Sequence, residues 1–313
     1  MEDETTFPQP TNVFVVLNPV AGTSNPETVT QTITRFCEEH HWECDIYQTQ
    51  KDEDLSQLVR KTVKKGVDMV IVAGGDGTVS AVVEGMINSQ VPLGILPAGT
   101  GNVLARDRSI PMDLNAALAL LGGEHDVQEL DAMEVVGRGM YVMNVSVGVS
   151  SITMRTTARE EKRRFGFLAY VYRAAGSLMR SDLHRFKVKV DDFPIRFSAS
   201  EVFIANCKLA GLQPLVDGVE VDPEDSRLDM FIVRAQSVRD YLGVLMRFIA
   251  RTPKNQADNL YYAAVREHII IESEFPLPVQ ADGEELGTTP MEIRVIPRAL
   301  RLVVPCTVKE KVV

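Results

Sequence analysis

The sequence predicts an α/β fold, with an N-terminal doubly wound parallel sheet followed by a C-terminal β-sandwich. Three observations predict it. Over residues 1–125, short apolar runs alternate with segments whose apolar residues recur at helical spacing; right-handed crossovers turn that pattern into a parallel sheet. Over residues 126–313 the runs become strand-like, and turn pairs such as Asp191-Asp192 and Asp282-Gly283 separate several of them, which reads as antiparallel sheet. The length, 313 residues, accommodates two domains of this kind.

Val13–Leu17 is the first buried strand, and it runs into Asn18-Pro19-Val20-Ala21-Gly22. Pro26 and Glu27 suit a helix start, and Ile33, Phe36 and Cys37 share one face of the helix that ends near His41. Asp45–Thr49 is a second strand; Leu55, Leu58, Val59 and Thr62 give the next helix its stripe, and Gly66 ends it. Met69–Ala73 is a third strand, stopped by Gly74-Gly75-Asp76-Gly77-Thr78 before a helix with Val79, Val82, Val83 and Met86 on its buried face. Leu93–Leu96 is a fourth strand, stopped by Pro97-Ala98-Gly99-Thr100-Gly101-Asn102, and residues 113–121 form a further helix. The later strands are expected at Val127–Val135, Tyr141–Val149, Phe186–Val190, Ile195–Ala199, Val202–Cys207, Leu228–Val233, Ile269–Glu272, Val279–Ala281, Met291–Ile296 and Leu300–Val304. Helices at Phe165–Arg180 and Val238–Arg251 interrupt them.

Composition narrows the function classes. No apolar run reaches the length of a membrane-spanning helix, and the acidic start Met1-Glu2-Asp3-Glu4 does not read as a secretory signal. The net charge of −10 argues against a general nucleic-acid binder. Cys37, Cys44, Cys207 and Cys306 lack C-x-x-C spacing and read as free thiols of a cytoplasmic protein.

The strand–glycine turn–helix unit at 69–80 is built for an anion. Glycines let backbone N–H groups approach a phosphate, and the helix start adds its unpaired N–H groups and positive dipole end. Asp76 inside that turn either holds a phosphate-bridging metal, orients a substrate hydroxyl, or merely caps the turn. Gly99–Asn102 repeats the geometry at the next strand end, where ligands of doubly wound sheets sit. Familiar alternatives fail on the residues. There is no G-x-x-x-x-G-K-[ST] and no protein-kinase motif set. Ser80 stands where a dinucleotide fingerprint needs its third glycine, and Asn144-Val145-Ser146-Val147-Gly148 lacks the first glycine of a nucleophile elbow.

Taken together, Asn18-Pro19-x-Ala21-Gly22, Gly74–Thr78, Pro97–Asn102 and Asp282-Gly283-Glu284 resemble the diacylglycerol kinase catalytic-domain family, in particular its soluble bacterial lipid kinases. The resemblance covers nearly the whole chain. It implies ATP held in a cleft between the α/β domain and the sandwich, and Mg²⁺-dependent transfer of the γ-phosphoryl group to a lipid hydroxyl. It places nucleotide contacts on Asn18, Thr49, Gly74, Gly75, Asp76, Gly77, Thr78, Val79, Ser80, Gly99, Thr100 and Asn102. Glu284 matches the general base, with Asp76 as the second catalytic acid. The turn Asp222–Asp229 resembles a structural Mg²⁺ site, with Asp225 giving its side chain and Asp222 and Arg227 giving backbone oxygens.

The chain departs from the family at three places. Val103 stands where many relatives carry an aspartate, with Asp107 one helical turn on as the candidate substitute. The lysine that often follows Gly22 is missing, and Ser80-Ala81 replaces a more frequent Asn-Glu. A kinase of a soluble metabolite such as NAD, and a nucleotide-binding regulatory protein, are the competing readings. The basic cluster Arg155, Arg159, Lys162, Arg163 and Arg164 precedes an aromatic-rich run from Phe165. It reads either as an interfacial element for anionic membrane or as a core helix with a solvated basic end. The remaining expectations are peripheral membrane contact, no nucleic-acid partner, and a homodimer as one assembly open to the edge strands.

Overall fold

The computed structural model describes residues 10–22, 25–51, 53–148, 183–208, 219–236, 240 and 260–306. The expected helices at Phe165–Arg180 and Val238–Arg251 (all but Asp240) and the basic cluster at 155–164 lie outside them.

The N-terminal half is the doubly wound unit. Strands β1 (Asn12–Leu17), β2 (Glu43–Gln48), β3 (Met69–Gly74) and β4 (Leu93–Pro97) pair in parallel in the order β2-β1-β3-β4. Helices α1 (Pro26–Glu39), α2 (Leu55–Val63), α3 (Asp76–Met86), α4 (Val103–Asp107) and α5 (Leu114–Gly122) accompany them. The strands are apolar throughout because both faces are covered. Phe14, Val16, Val70, Val72 and Ile95 pack toward α2 and α3, while Val13, Val15, Ile71 and Leu96 pack toward α1 and α5. Asn25, Asp54 and Asp113 cap α1, α2 and α5 with their side-chain oxygens.

The C-terminal half stacks two sheets. One contains β7 (Asn144–Gly148), β10 (Glu201–Ala205), β11 (Leu228–Val233), β12 (Leu260–Val265), β14 (Pro278–Ala281) and β15 (Glu284–Thr288), in the order β12-β11-β10-β7-β14-β15. The other contains β5 (Asp126–Val135), β6 (Gly139–Tyr141), β8 (His184–Val190), β9 (Phe193–Ala199), β13 (His268–Ser273) and β16 (Met291–Val304). It is continuous with the parallel sheet. Val145, Val147, Ile204, Met230, Phe186, Val188, Ile269 and Ile293 fill the space between the two sheets.

The strand that joins the halves is β16. The sequence reads it as two strands; it is one, with an irregularity between Ile296 and Leu300. Its first part pairs with β13, its second meets β4 in parallel at Leu302↔Leu93, and β5 runs antiparallel along it. Asp131 of β5 fills the irregularity, its Oδ1 accepting from Arg298 N at 2.8 Å. A further departure from the sequence reading is that Cys37 and Cys44 form a disulfide, their Cα atoms 6.3 Å apart; among the described residues Cys207 and Cys306 are free. The chain turns back through His41 and Trp42, so the end of α1 and the start of β2 lie side by side.

Candidate active site

Three loops at the carboxyl ends of β1, β3 and β4 meet by their backbones. A Cβ on Gly99 would stand 2.6 Å from Gly75 Cα, and one on Gly22 would stand 2.6 Å from Ala98 O. Both contacts exclude any larger residue. Gly22 also has φ 69°, a conformation that favours glycine. Around Gly77, by contrast, a Cβ would meet no atom within 4 Å, so the first turn of α3 opens outward. That turn carries the N–H groups a helix leaves unpaired.

Side chains tie the loops together. Asp76 Oδ2 accepts from Asn102 N at 2.9 Å and Oδ1 from Val103 N at 2.6 Å, so one carboxylate on the β3 loop holds the start of α4. Asn102 sits at φ 49° and clasps its own loop: Oδ1 accepts from Gly99 N at 2.9 Å and Nδ2 donates to Gly99 O at 2.8 Å. Asn18 Nδ2 donates to Thr78 Oγ1 at 2.8 Å, which fixes the first loop to α3. Thr49 follows β2 with its N–H on Leu17 O at 2.9 Å, beside Asn18. Thr100 is exposed at the rim. Val79 points into the core and the Ser80 hydroxyl is engaged elsewhere, so at these two positions only the backbone is available to a ligand.

The partner of Ser80 is Asp282. Asp282 (φ 45°) and Gly283 (φ 88°) form the two-residue turn between β14 and β15. The Asp282 carboxylate is buried and accepts four hydrogen bonds, from Ser80 Oγ at 2.9 Å and from the N–H groups of Val142 (3.1 Å), Met143 (3.0 Å) and Asn144 (2.8 Å). Burial pushes it up to about 6 against the pull of those bonds. Asp282 therefore locks the hairpin onto α3 and onto the chain between β6 and β7. Glu284, on the far side of Gly283, is exposed, and its carboxylate accepts no hydrogen bond among the described residues. Its charge reaches Glu84, one turn past Ser80 on α3, and Tyr141 of β6. Burial, then Glu284, Glu84 and Asp282, hold the Tyr141 phenol above its ordinary value.

Comparison with known proteins settles the family. The model of the diacylglycerol kinase catalytic domain matches residues 12–135, and that of the YegS C-terminal NAD kinase beta sandwich-like domain matches residues 143–304. The chain belongs to the family of the YegS C-terminal domain, whose match takes in more than half of it, with the diacylglycerol kinase catalytic-domain match ahead of it. A relative from Staphylococcus haemolyticus, named "Putative lipid kinase", is 28% identical over 282 residues, 88% of each chain. A Synechocystis protein of uncharacterized function is 25% identical over 304 residues, covering 93% of this chain and 70% of its own. A solved structure titled a diacylglycerol kinase from Bacillus anthracis superposes with TM-score 0.77 at 22% identity, covering 96% of this chain and 99% of the other. At that identity the likeness concerns the fold.

Two features expected of the family meet specific geometry here. Asp107, the candidate substitute for the aspartate replaced by Val103, is taken up: Oδ2 pairs with Arg108 Nε at 2.8 Å and Oδ1 accepts from Lys208 N at 3.0 Å. Arg108 continues to Glu224 at 3.0 Å, so this pair joins α4 to the sandwich. In the 222–227 turn, Asp225 Oδ2 lies 2.7 Å from Arg227 Nε, and Oδ1 accepts from Arg227 N at 3.2 Å. Burial pushes Asp225 up to about 6 while Arg227 pulls it down. Asp222 O accepts from Asp225 N at 3.4 Å, and Asp131 holds the turn from below through Ser226 N at 2.6 Å. As arranged, the Arg227 guanidinium lies beside the Asp225 carboxylate. Among the described residues, no group of three or more His, Cys, Asp or Glu is arranged to hold a metal.

Sequence reasoning missed Asp131, Glu84, Tyr141 and Arg138. Asp131 carried a signal, a lone acid in the apolar run Leu130–Met133. The other three carried none, because their partners are remote in the chain.

Proposed function

We propose that this protein is an ATP-dependent kinase that transfers the γ-phosphoryl group to a lipid hydroxyl. The observation that carries the reading is the Gly75–Gly99 contact joined by Asp76, with the Asp282 lock fastening the Asp-Gly-Glu hairpin to the same helix. Phosphoryl transfer needs alignment and charge neutralisation more than covalent chemistry. The N–H groups of Gly75, Asp76 and Gly77, ahead of Thr78 N and Val79 N that bond to Gly75 O, hold the terminal phosphates. Asn18 and Thr78 orient one flank of that cradle, and Thr100 contacts the nucleotide at the other. Glu284 takes the proton of the acceptor hydroxyl as its oxygen bonds to the γ-phosphorus and the bond to the leaving ADP oxygen breaks. Mg²⁺ bound with the nucleotide supplies neutralising charge, and Asp76 is the carboxylate in position to hold it. The donor set fits: main-chain N–H groups for phosphate oxygens, one carboxylate for the metal. The 222–227 turn enters as a scaffold, since its own arginine neutralises Asp225.

The acceptor is a lipid on the family and the named relatives; the sandwich model's likeness to NAD kinase makes NAD the second acceptor to test. Incubation with radiolabelled ATP, Mg²⁺ and a panel of diacylglycerol, ceramide, sphingoid base and phosphatidylglycerol, with NAD in parallel, decides between them. Label in the organic phase is expected. Label only in the dinucleotide, or in neither, overturns the lipid assignment.

A further inference from the structure

Two main-chain carbonyls of β15 and a third just past its end meet a single guanidinium. Among the described residues β15 is the last strand of its sheet, paired with β14. Carbonyls of alternate residues on such a strand point away from the sheet and ordinarily face water or a competing strand. Here Arg138 Nη1 donates to Leu286 O at 3.1 Å, and Nη2 donates to Thr288 O at 2.7 Å and Pro290 O at 3.0 Å. Its planar fork of donors suits this spacing, as a lysine would not.

The segment that presents Arg138 is itself fixed. It is the turn between β5 and β6, with Gly137 at φ 74° and Gly139 at φ 137°, both in the region that favours glycine. Arg138 N donates to Val135 O at 2.8 Å, Tyr141 Oη donates to Arg138 O at 3.3 Å, and Val136 N donates to Glu292 O at 3.0 Å. A Cβ on Gly139 would stand 3.0 Å from Tyr141 Oη and 3.3 Å from Glu84 Oε1. The turn therefore abuts the groups that Glu284 faces.

The strand it grips has an irregular middle. β15 carries Gly287 at φ 90° with open space around it, and its pairing with β14 shifts register between Pro278 and Gln280. Glu284 is the first residue of this strand. Asp282 anchors the turn, and Thr289, with its N–H on Leu277 O at 2.9 Å and its Oγ1 accepting from Leu277 N at 3.0 Å, anchors the far end; Arg138 grips the span between them, which holds Gly287.

We infer that Arg138 is a positioning residue for phosphoryl transfer: by clamping the carbonyls of Leu286, Thr288 and Pro290 it fixes the strand that carries Glu284 and so aims that carboxylate at the acceptor hydroxyl. The inference rests on the reading of Glu284 as the base. A displacement of about 1 Å in such a group lowers turnover roughly 100-fold without touching nucleotide binding.

The test uses the full-length protein and its R138A and R138K variants. In R138A, kcat is expected to fall roughly 10- to 100-fold while KM for ATP stays within about twofold. Millimolar guanidinium restores part of that kcat in R138A and none in E284Q. R138K, which keeps the charge but not the fork, falls between the two. Amide hydrogen exchange, read without substrate, quickens at residues 284–288 in R138A and stays at the wild-type rate in β3 and α3. Unchanged exchange at 284–288 overturns the clamp whether or not phosphate is transferred. A kcat loss matched by a rise in KM for ATP, or a lowered melting temperature with kcat intact, overturns the positioning role. Wild-type protein that transfers no phosphate to any acceptor would defeat the kinase reading, and exchange would still decide the clamp.

Discussion

Asp76 and Asp282 perform the same operation at the two ends of the site. Each carboxylate accepts backbone N–H groups from a segment far along the chain, and each fastens a turn rich in glycine. They differ in surroundings. Asp76 takes two N–H groups at the half-buried mouth of the loop pair, where oxygen lone pairs remain for a ligand. Asp282 takes four donors and is fully enclosed, so its acceptor capacity is spent on the protein. The same chemical group thus serves as site and as lock. What separates them is whether the donors saturate it and whether water reaches it.

That contrast is sharpest in what removal does. Asp282→Ala leaves three N–H groups, two of them buried, and the Ser80 hydroxyl without acceptors, a cost of roughly 3–5 kcal/mol. Thermal melting should show a larger destabilisation for it than for Gly99→Ala, Thr78→Val or Lys187→Ala, and a loss below about 1 kcal/mol would mean the lock is not a lock. Gly99→Ala drives a Cβ to 2.6 Å from Gly75 Cα and forces the loops apart. Turnover should fall roughly 100-fold with melting little changed, whereas a fully active variant would show that the loop contact is dispensable.

The buried acid also has a pH signature. Its folded value near 6 lies above the 3.8 of the unfolded chain, so the folded state binds more protons between those values and stability falls as pH rises through them. The stability gap between wild type and Asp282→Ala should narrow by about 3 kcal/mol from pH 3.5 to pH 7. A gap that widens would show that the four hydrogen bonds outweigh burial. Thr78→Val removes only the Asn18 contact and should weaken binding of a non-hydrolysable ATP analogue by about 1 kcal/mol. The exposed Lys187–Glu272 pair on β8 and β13 marks the bottom of the scale; Lys187→Ala should change melting by no more than about 0.5 kcal/mol equivalent.

The legible parts of the molecule were the local ones. Apolar runs ending in glycine turns gave β1, β3 and β4 and the loops they position, because strand, turn and helix start lie within a dozen or so residues of each other. β15 was missed because Glu-Glu-Leu-Gly-Thr has no apolar alternation and a single β-branched residue, Thr288, while its grip by Arg138 is remote in the chain. β16 read as two strands because Arg298 sits at φ 48° in its middle, and only the remote Asp131 makes the break tolerable. The disulfide was missed because a spacing does not state a pairing. In the hairpin, sequence put Asp282 and Glu284 on opposite sides of Gly283; only the folded chain reveals that Asp282 is saturated and buried while Glu284 stays exposed.

The division of labour between cradle and hairpin is tested most directly by one comparison. Glu284→Gln and wild type are each titrated with Mg²⁺ and ATP and then mixed with the acceptor lipid in a single-turnover experiment. The account predicts equal nucleotide affinity and transfer slowed by roughly 100-fold or more in the variant. Transfer at the wild-type rate would contradict it.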